Sequence, residues 1–245
     1  MPPIPPMVEP SAFTTVAFLI VVAAVGGMLM WGTHVAGRGL GEASVVTRRW
    51  VVQTGIALVV WLSVTAVISA SGILESSGLP PRAMLFMGAC NLLVVVYALS
   101  PAGRRLAHGL PIAALVGFQA FRFPLELVLH QWYVEGVLPI QMTYVGRNLD
   151  IITGVAGLVA GVWMWKKGPS RALVWGFNLL GLGLLFNVAS IAILSSPVPF
   201  RSFTEGPAVL LVFHFPYGWI LPMCVAPALA GHILVFRWLW NTRKR

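Results

Sequence analysis

Four polar side chains recur at helical spacing within one strongly apolar segment, Leu110–Tyr133. Gln119, Arg122, Glu126 and His130 are separated by three, four and four residues. At about 100° per residue, all four lie within an arc of roughly 80° if the segment is helical. An arginine, a carboxylate and an imidazole in one stripe have the chemistry to bind an anion or to transfer protons.

The charged members of this stripe fall near the middle of the segment. A charge at the centre of a bilayer costs about 2.5–3.5 kcal/mol on insertion scales, so the stripe is expected to face other helices or a water-filled cavity. Arg122 and Glu126, four residues apart, can pair directly. Pro124 between them frees a backbone carbonyl and favours a kink. A purely structural Arg–Glu lock is the alternative to a ligand or catalytic site.

Further candidates lie near the expected outer end of the stripe. Arg147, Asn148 and Asp150 precede the next apolar run, where Asn148 could instead cap a helix. We expect His214 in the last apolar run, about five residues into its helix, where it could instead make an interhelical hydrogen bond. We assign ligand binding to Gln119, Arg122, Arg147, Asn148, Asp150 and His214, and acid–base catalysis to Glu126 with His130.

The sequence does not fix a cofactor. Haem or a metal ion would use His130 with His214, and His34 with His232 is a second arrangement for haem. No dedicated metal-binding motif is present. A retinal Schiff base needs a lysine inside a span, but the three lysines lie at the edges of apolar runs. The nucleotide-binding P-loop and the GxSxG nucleophile motif are both absent from the sequence.

The composition requires lipid around most of the surface. The chain has 245 residues, of which 58% are hydrophobic and only 9% are charged, whereas soluble domains are about 25% charged. The formal net charge is +9, but the basic residues stand between apolar runs and not along one solvated face. We therefore predict no nucleic-acid partner and an all-α, polytopic transmembrane helical bundle.

Seven apolar runs approach the roughly 20 residues that a spanning helix needs. They form a single integral membrane domain over residues 1–245. The predicted spans are Ser11–Trp31, Trp50–Ser71, Ala83–Leu99, Leu110–Tyr133, Leu149–Trp165, Ala172–Leu194 and Ala208–Leu239.

Basic residues predict the orientation of these spans. Loops rich in lysine and arginine stay on the cytoplasmic side. One side of the bundle carries twelve of the 16 basic residues, namely Arg38, Arg48, Arg49, Arg104, Arg105, Lys166, Lys167, Arg171, Arg237, Arg243, Lys244 and Arg245. The other side carries Arg82, Arg147 and Arg201. We predict an outside N-terminus and a cytoplasmic C-terminus, in a bacterial inner (plasma) membrane.

These observations lead to three hypotheses about function. The first is an outward-facing polar pocket between the fourth, fifth and seventh spans that binds a small or amphiphilic anionic ligand. The second is a membrane-embedded enzyme that uses Glu126 and His130 as acid and base. The third is an accessory or structural subunit of a larger membrane complex. Expected partners are the lipid bilayer and other membrane subunits or further copies of this chain.

Overall fold

The computed structural model describes residues 6–75 and 79–241, and all regular structure in these ranges is helical. The predicted anchors Arg243, Lys244 and Arg245 lie outside the described residues. The α-helices are α1 (Ala12–Gly39), α2 (Ser44–Ala70), α3 (Arg82–Leu99), α4 (Pro101–Gly109), α5 (Ile112–Gly117), α6 (Arg122–Val134), α7 (Ile151–Lys167), α8 (Arg171–Ser195) and α9 (Ala226–Asn241).

Six helical segments are long and apolar enough to cross a membrane, and the chain is a membrane protein on this evidence of length and composition. They are α1, α2, α3, Ile112–Val134, α8 and Tyr217–Asn241. The predicted fifth span corresponds to α7, which has 17 residues against the 18 of α3. Helix α2 begins at Ser44, ahead of the predicted Trp50.

Short contacts tie the helices together at both ends of the bundle. At one end, the Ser11 backbone and hydroxyl donate to Glu135 at 2.9 and 2.7 Å, which joins the start of α1 to the end of α6. At the other end, Arg105 of α4 donates to Glu42 in the α1–α2 loop. We call these the Glu135 end and the Arg105 end.

The segment Ile112–Val134 is one helical run with a tightened turn inside it. Helix α5 gives way to a 3₁₀ turn at Phe118–Phe121, and α6 follows directly. Pro124 has no N–H to donate to the preceding turn, and the backbone tightens in the turn just before it. The polar stripe of Gln119 to His130 therefore starts in the 3₁₀ turn and continues along α6.

The last span begins later than its apolar sequence suggests. Residues 208–216 contain only a 3₁₀ turn at Leu211–Phe213, and the helical run starts at Tyr217 and passes through a π-helical turn at Leu221–Val225. The residue before a proline is held away from the helical region, so Pro216 delays the start of the helix. The prediction that His214 lies inside this helix is therefore wrong.

Helix α7 packs unusually close to the helical run that carries the polar stripe. A Cβ on Gly154 would collide with the backbone nitrogen of Phe123. Gly161 continues the contact two turns later, since a Cβ on it would lie 3.0 Å from the Cα of Gly117. Because only glycine permits this approach, the backbone just before α7 is held against the stripe, and Asp150 is held there with it.

Candidate functional site

A buried ion pair forms the centre of the polar stripe. Arg122 and Asp150 are 1% and 4% exposed. The Nε of Arg122 donates to Oδ2 of Asp150 at 2.6 Å, and Nη2 lies 2.6 Å from Oδ1. The pair thus combines one charge-assisted hydrogen bond, from Nε, with one close ionic contact, from Nη2. Asp150 therefore neutralises Arg122 within the protein.

The third nitrogen of Arg122 reaches α8 and α9. Nη1 lies 3.3 Å from the carbonyl oxygen of Gly181 and 3.3 Å from Nε2 of His232. Arginine can only donate, so Nε2 of His232 accepts and Nδ1 carries the proton. That proton is donated to Oδ1 of Asn178 at 2.8 Å, while Nδ2 of Asn178 donates to the His232 carbonyl at 3.2 Å. His232 is neutral in this arrangement.

Glu126 does not pair with Arg122, contrary to the sequence prediction. Its Oε2 accepts a hydrogen bond from Nδ2 of Asn148 at 2.7 Å. Oδ1 of Asn148 in turn accepts from the backbone N–H of Asp150 at 3.1 Å. Tertiary packing brings Asp150 to within 2.6 Å of the guanidinium, while Glu126 bonds Asn148.

The stripe also bonds α9 directly. Nε2 of Gln119 donates to the carbonyl oxygen of Ala228 at 2.9 Å. Two prolines, Pro222 and Pro227, occupy this part of the last span and lack N–H groups of their own. Gln119 therefore acts as a crosslink between the 3₁₀ turn and the last span.

Five of the predicted site residues come together in the bundle. Two further residues, Asn178 and His232, join them, although the sequence analysis did not assign them to this site. The buried set, here called the polar cluster, is Gln119, Arg122, Glu126, Asn148, Asp150, Asn178 and His232. Asn178 and His232 are isolated polar residues in long apolar runs, and their partners are distant in sequence. Their only local signal was being polar inside a span.

The other predicted site residues lie outside the polar cluster. His130 packs against Tyr144, with ring centroids 4.7 Å apart. Arg147 is exposed and covers the ring of Phe203 at 5.1 Å. The ring of His214 lies 3.8 Å from the Glu75 carboxylate in the loops. The cluster therefore forms without the predicted contributions of these three residues.

The space beside the polar cluster is small. A cleft of about 70 Å³ is bordered by Arg122, Glu126 and Asp150, with apolar side chains around the rest. Ligand pockets usually measure about 300–1,000 Å³, whereas a single water needs about 10–15 Å³ of such space. The cleft has room for a few waters. Among the described residues, no group of three or more His, Cys, Asp or Glu side chains is arranged to hold a metal ion.

A much larger cavity, of about 730 Å³, extends to the Arg105 end, where Trp50, Arg105 and Trp165 line it. Its walls come from α1, α2, α3, α4, α5, α7 and the last span, and they are almost wholly apolar. Four tryptophans line it, namely Trp31, Trp50, Trp61 and Trp165. Its polar lining is sparse and includes Gln53, Thr54 and Arg105. The apolar walls suit a long hydrocarbon group.

Arg105 borders this cavity with its charge already balanced. Nε and Nη2 donate to the two carboxylate oxygens of Glu42 at 2.8 and 2.7 Å, and Nη1 donates to the carbonyl of Thr33 at 2.9 Å. The guanidinium also lies 5.3 Å from the Trp50 ring. The hydrogen bond from Arg105 is the main cause that lowers the pKa of Glu42 below its ordinary value. Arg105 therefore joins α4 to α1 and to the α1–α2 loop, and it is not a free topology charge.

A comparison with known families matches residues 79–240 to a model described as "Domain of unknown function (DUF8737)". The match covers all seven residues of the polar cluster and runs from before α3 almost to the end of α9. Helices α1 and α2, which complete the wall of the large cavity, precede it. No curated protein and no solved structure matches the chain.

Proposed function

This chain belongs to the family described as a domain of unknown function (DUF8737), and we propose that it is a seven-span membrane protein. In this proposal it binds an amphiphile with a long apolar chain. The observation that carries this proposal is the apolar cavity of about 730 Å³. That volume falls within the usual range of ligand pockets, about 300–1,000 Å³.

Helix α7 supplies the seventh span in this proposal. It is short, but it connects the Glu135 end to the Arg105 end as the chain order requires. With seven spans the chain termini lie on opposite sides of the membrane. The concentration of basic residues at the Arg105 end supports a cytoplasmic location for that end and an outside N-terminus. The same reasoning supports a plasma membrane as the location.

The proposed ligand is still an amphiphile, as the sequence predicts, but its binding site moves from the polar stripe to the large cavity. An anionic ligand in the outer half would need a free Arg122, and Asp150 already occupies that guanidinium at 2.6 Å. The cleft beside it has only about 70 Å³. The large cavity offers ten times that volume and an apolar wall, which suits the chain of an amphiphile. We therefore assign ligand binding to the cavity and bundle assembly to the polar cluster.

Filling the cavity tests this assignment. Val162 lines the cavity on α7, whereas Val159 lies on the same helix, is similarly exposed and does not line it. We expect Val162→Trp to weaken binding about tenfold or more because the indole occupies the volume of the chain, and Val159→Trp to leave the affinity unchanged. Native mass spectrometry of the full chain, titrated with oleoyl lysophosphatidylglycerol and oleoyl lysophosphatidylcholine, measures both.

Equal affinities of the two variants for both lipids would refute cavity binding. Leu93 and Leu92 on α3 repeat the test on another wall, since Leu93 lines the cavity and Leu92 does not. Agreement between the α7 pair and the α3 pair separates loss of cavity volume from a local effect on one helix.

A further inference from the structure

One polar side chain in the cavity wall has no partner. Gln53 lies in α2, is exposed, and lines the cavity. Within residues 6–75 and 79–241, its carboxamide makes no hydrogen bond to another side chain or to the backbone. An amide in an apolar environment without a hydrogen-bond partner costs several kcal/mol. Gln53 is therefore a cavity-lining residue whose hydrogen-bonding capacity is left over for a ligand.

The depth of Gln53 identifies what kind of group it meets. Tryptophans concentrate at the level of the lipid headgroups, and Trp31, Trp50 and Trp165 all line the cavity near the Arg105 end. Gln53 is three residues further along α2 than Trp50, which is about 4.5 Å deeper at 1.5 Å per residue. If Trp50 marks the headgroup level, the carboxamide is expected just below it, where the ester oxygens of a lipid are found.

Two cations on α2 and α7 lie one helical turn from cavity-lining residues, and neither has an ion-pair partner among the described residues. Arg49 precedes Gln53 by one helical turn on α2, and Lys166 follows the cavity-lining Val162 by one turn on α7. Both side chains are exposed. Glu42 is the acidic residue in the described loops at this end, and Arg105 already neutralises it at 2.7 Å. Neither Arg49 nor Lys166 lines the cavity itself. The described side chains around the Arg105 end of the cavity, here called its mouth, therefore carry net positive charge.

We propose that the mouth of the cavity binds the headgroup of an anionic phospholipid from the adjoining leaflet, an inference that rests on the proposed function. The acyl chain fills the apolar cavity. The carboxamide of Gln53 hydrogen-bonds an ester oxygen of the lipid. Arg49 and Lys166 attract the phosphate, and the three tryptophans surround the headgroup level.

The closing experiment separates the headgroup from the chain. Oleoyl lysophosphatidylglycerol and oleoyl lysophosphatidylcholine share a chain and an ester but differ in net charge. We expect the wild-type protein to bind the anionic lipid more tightly than the zwitterionic one. The double variant Arg49→Gln/Lys166→Gln should lower this affinity ratio by about fivefold for each cation removed. Arg48→Gln with Lys167→Gln removes the same charge from the neighbouring positions, whose helix faces do not line the cavity, and should retain the preference.

Gln53→Leu tests the ester contact. It should weaken both lipids equally, by about two- to tenfold, because both carry the ester that the amide binds. Thermal unfolding of each variant verifies that the fold is intact, and all five positions are exposed.

The outcomes distinguish the two proposals. If Val162→Trp weakens both lipids but the Arg49/Lys166 variant keeps the wild-type preference, the cavity binds chains and the headgroup inference is wrong. If the Arg48/Lys167 control loses as much preference as the Arg49/Lys166 variant, the attraction is general surface charge and the inference is also wrong. If neither Val162→Trp nor Leu93→Trp changes binding, the proposed function itself fails.

Discussion

Two arginine–carboxylate pairs hold this bundle, and their surroundings differ. Arg122 and Asp150 meet deep in the bundle, with side chains 2% and 5% exposed. Arg105 and Glu42 meet at one end, with side chains 7% and 19% exposed. Arg105 donates a hydrogen bond to each carboxylate oxygen of Glu42, whereas Arg122 donates one to Asp150 and contacts its other oxygen at 2.6 Å. The deep pair is enclosed by α6, α8 and α9, whereas the shallow pair borders a cavity ten times larger than the cleft beside Arg122.

The region richest in polar side chains is not the region with the most free space. The side chains of the polar cluster bond one another or the backbone of the last span, and the cleft beside them measures about 70 Å³. The Arg105 end has few polar groups, but it has the volume and one unpartnered amide. A charged residue inside a membrane is expected to be functional by default. In the proposed function, by contrast, the charged residues of the polar cluster assemble the helices.

The largest expected effect comes from breaking the deep pair on one side. Arg122→Leu leaves Asp150 buried and unpaired, and it removes the donor to His232. We expect a loss of about 3–5 kcal/mol in the free energy of unfolding. Arg122→Leu combined with Asp150→Asn should lose less, because no uncompensated charge stays buried. Reversible unfolding in detergent micelles measures both, and equal losses would mean that packing around Arg122, not its charge, stabilises the bundle.

A smaller effect is expected from the glycine contact that holds Asp150 in place. Gly154→Ala introduces a Cβ against the Phe123 backbone, and overpacking of this kind typically costs about 1–3 kcal/mol. Gly176 on α8 is the matched control, since nothing lies within 4 Å of its added Cβ. Gly176→Ala should be neutral or stabilising by up to about 1 kcal/mol. Thermal unfolding that moves both variants in the same direction would contradict the close-packing account.

The smallest effect concerns the shallow pair and depends on pH. The pKa of Glu42 is lowered in the folded state from 4.5, so its contribution is complete above that value and is lost as the pH falls through the lower folded pKa. Glu42→Gln should cost about 1 kcal/mol or less at neutral pH. Melting curves should show the difference between wild type and variant shrinking well below pH 4.5. A constant difference across this range would exclude the charge of Glu42 as its cause.

The sequence was sufficient for an all-helical membrane fold and for the inward orientation of the stripe. Apolar runs predicted the helices, and the cost of burying Arg122 predicted that it faces inward. The ion-pair partner of Arg122 was not predictable from the sequence. The spacing along the helix favours Glu126, whereas the packing of α7 brings Asp150 to the guanidinium. That packing depends on a backbone contact at Gly154, and a glycine alone does not reveal what it touches.

Two other features depended wholly on tertiary structure. Arg105 looked like a loop charge because it stands beside Arg104 and near a helix end. The presence of Glu42, an acid among many basic residues at that end, was the available signal for its pairing. The large cavity had no sequence signal, because it is the space left where α2, α3 and α7 do not meet. His214 was misplaced because residues 208–216 are apolar enough to resemble the start of a span.

The unequal lengths of the helices around the cavity have a consequence for the surrounding bilayer. At 1.5 Å per residue, α7 and α3 extend about 25 and 27 Å, whereas α1 and α2 extend about 40 Å. A hydrocarbon layer is about 30 Å thick, so hydrophobic mismatch thins the bilayer beside the short helices and tilts the long ones. In the proposed arrangement, the lipid headgroups lie closest to the cavity on the side where the bilayer is thinned. Thicker membranes then oppose lipid entry, which makes occupancy of the cavity sensitive to bilayer thickness.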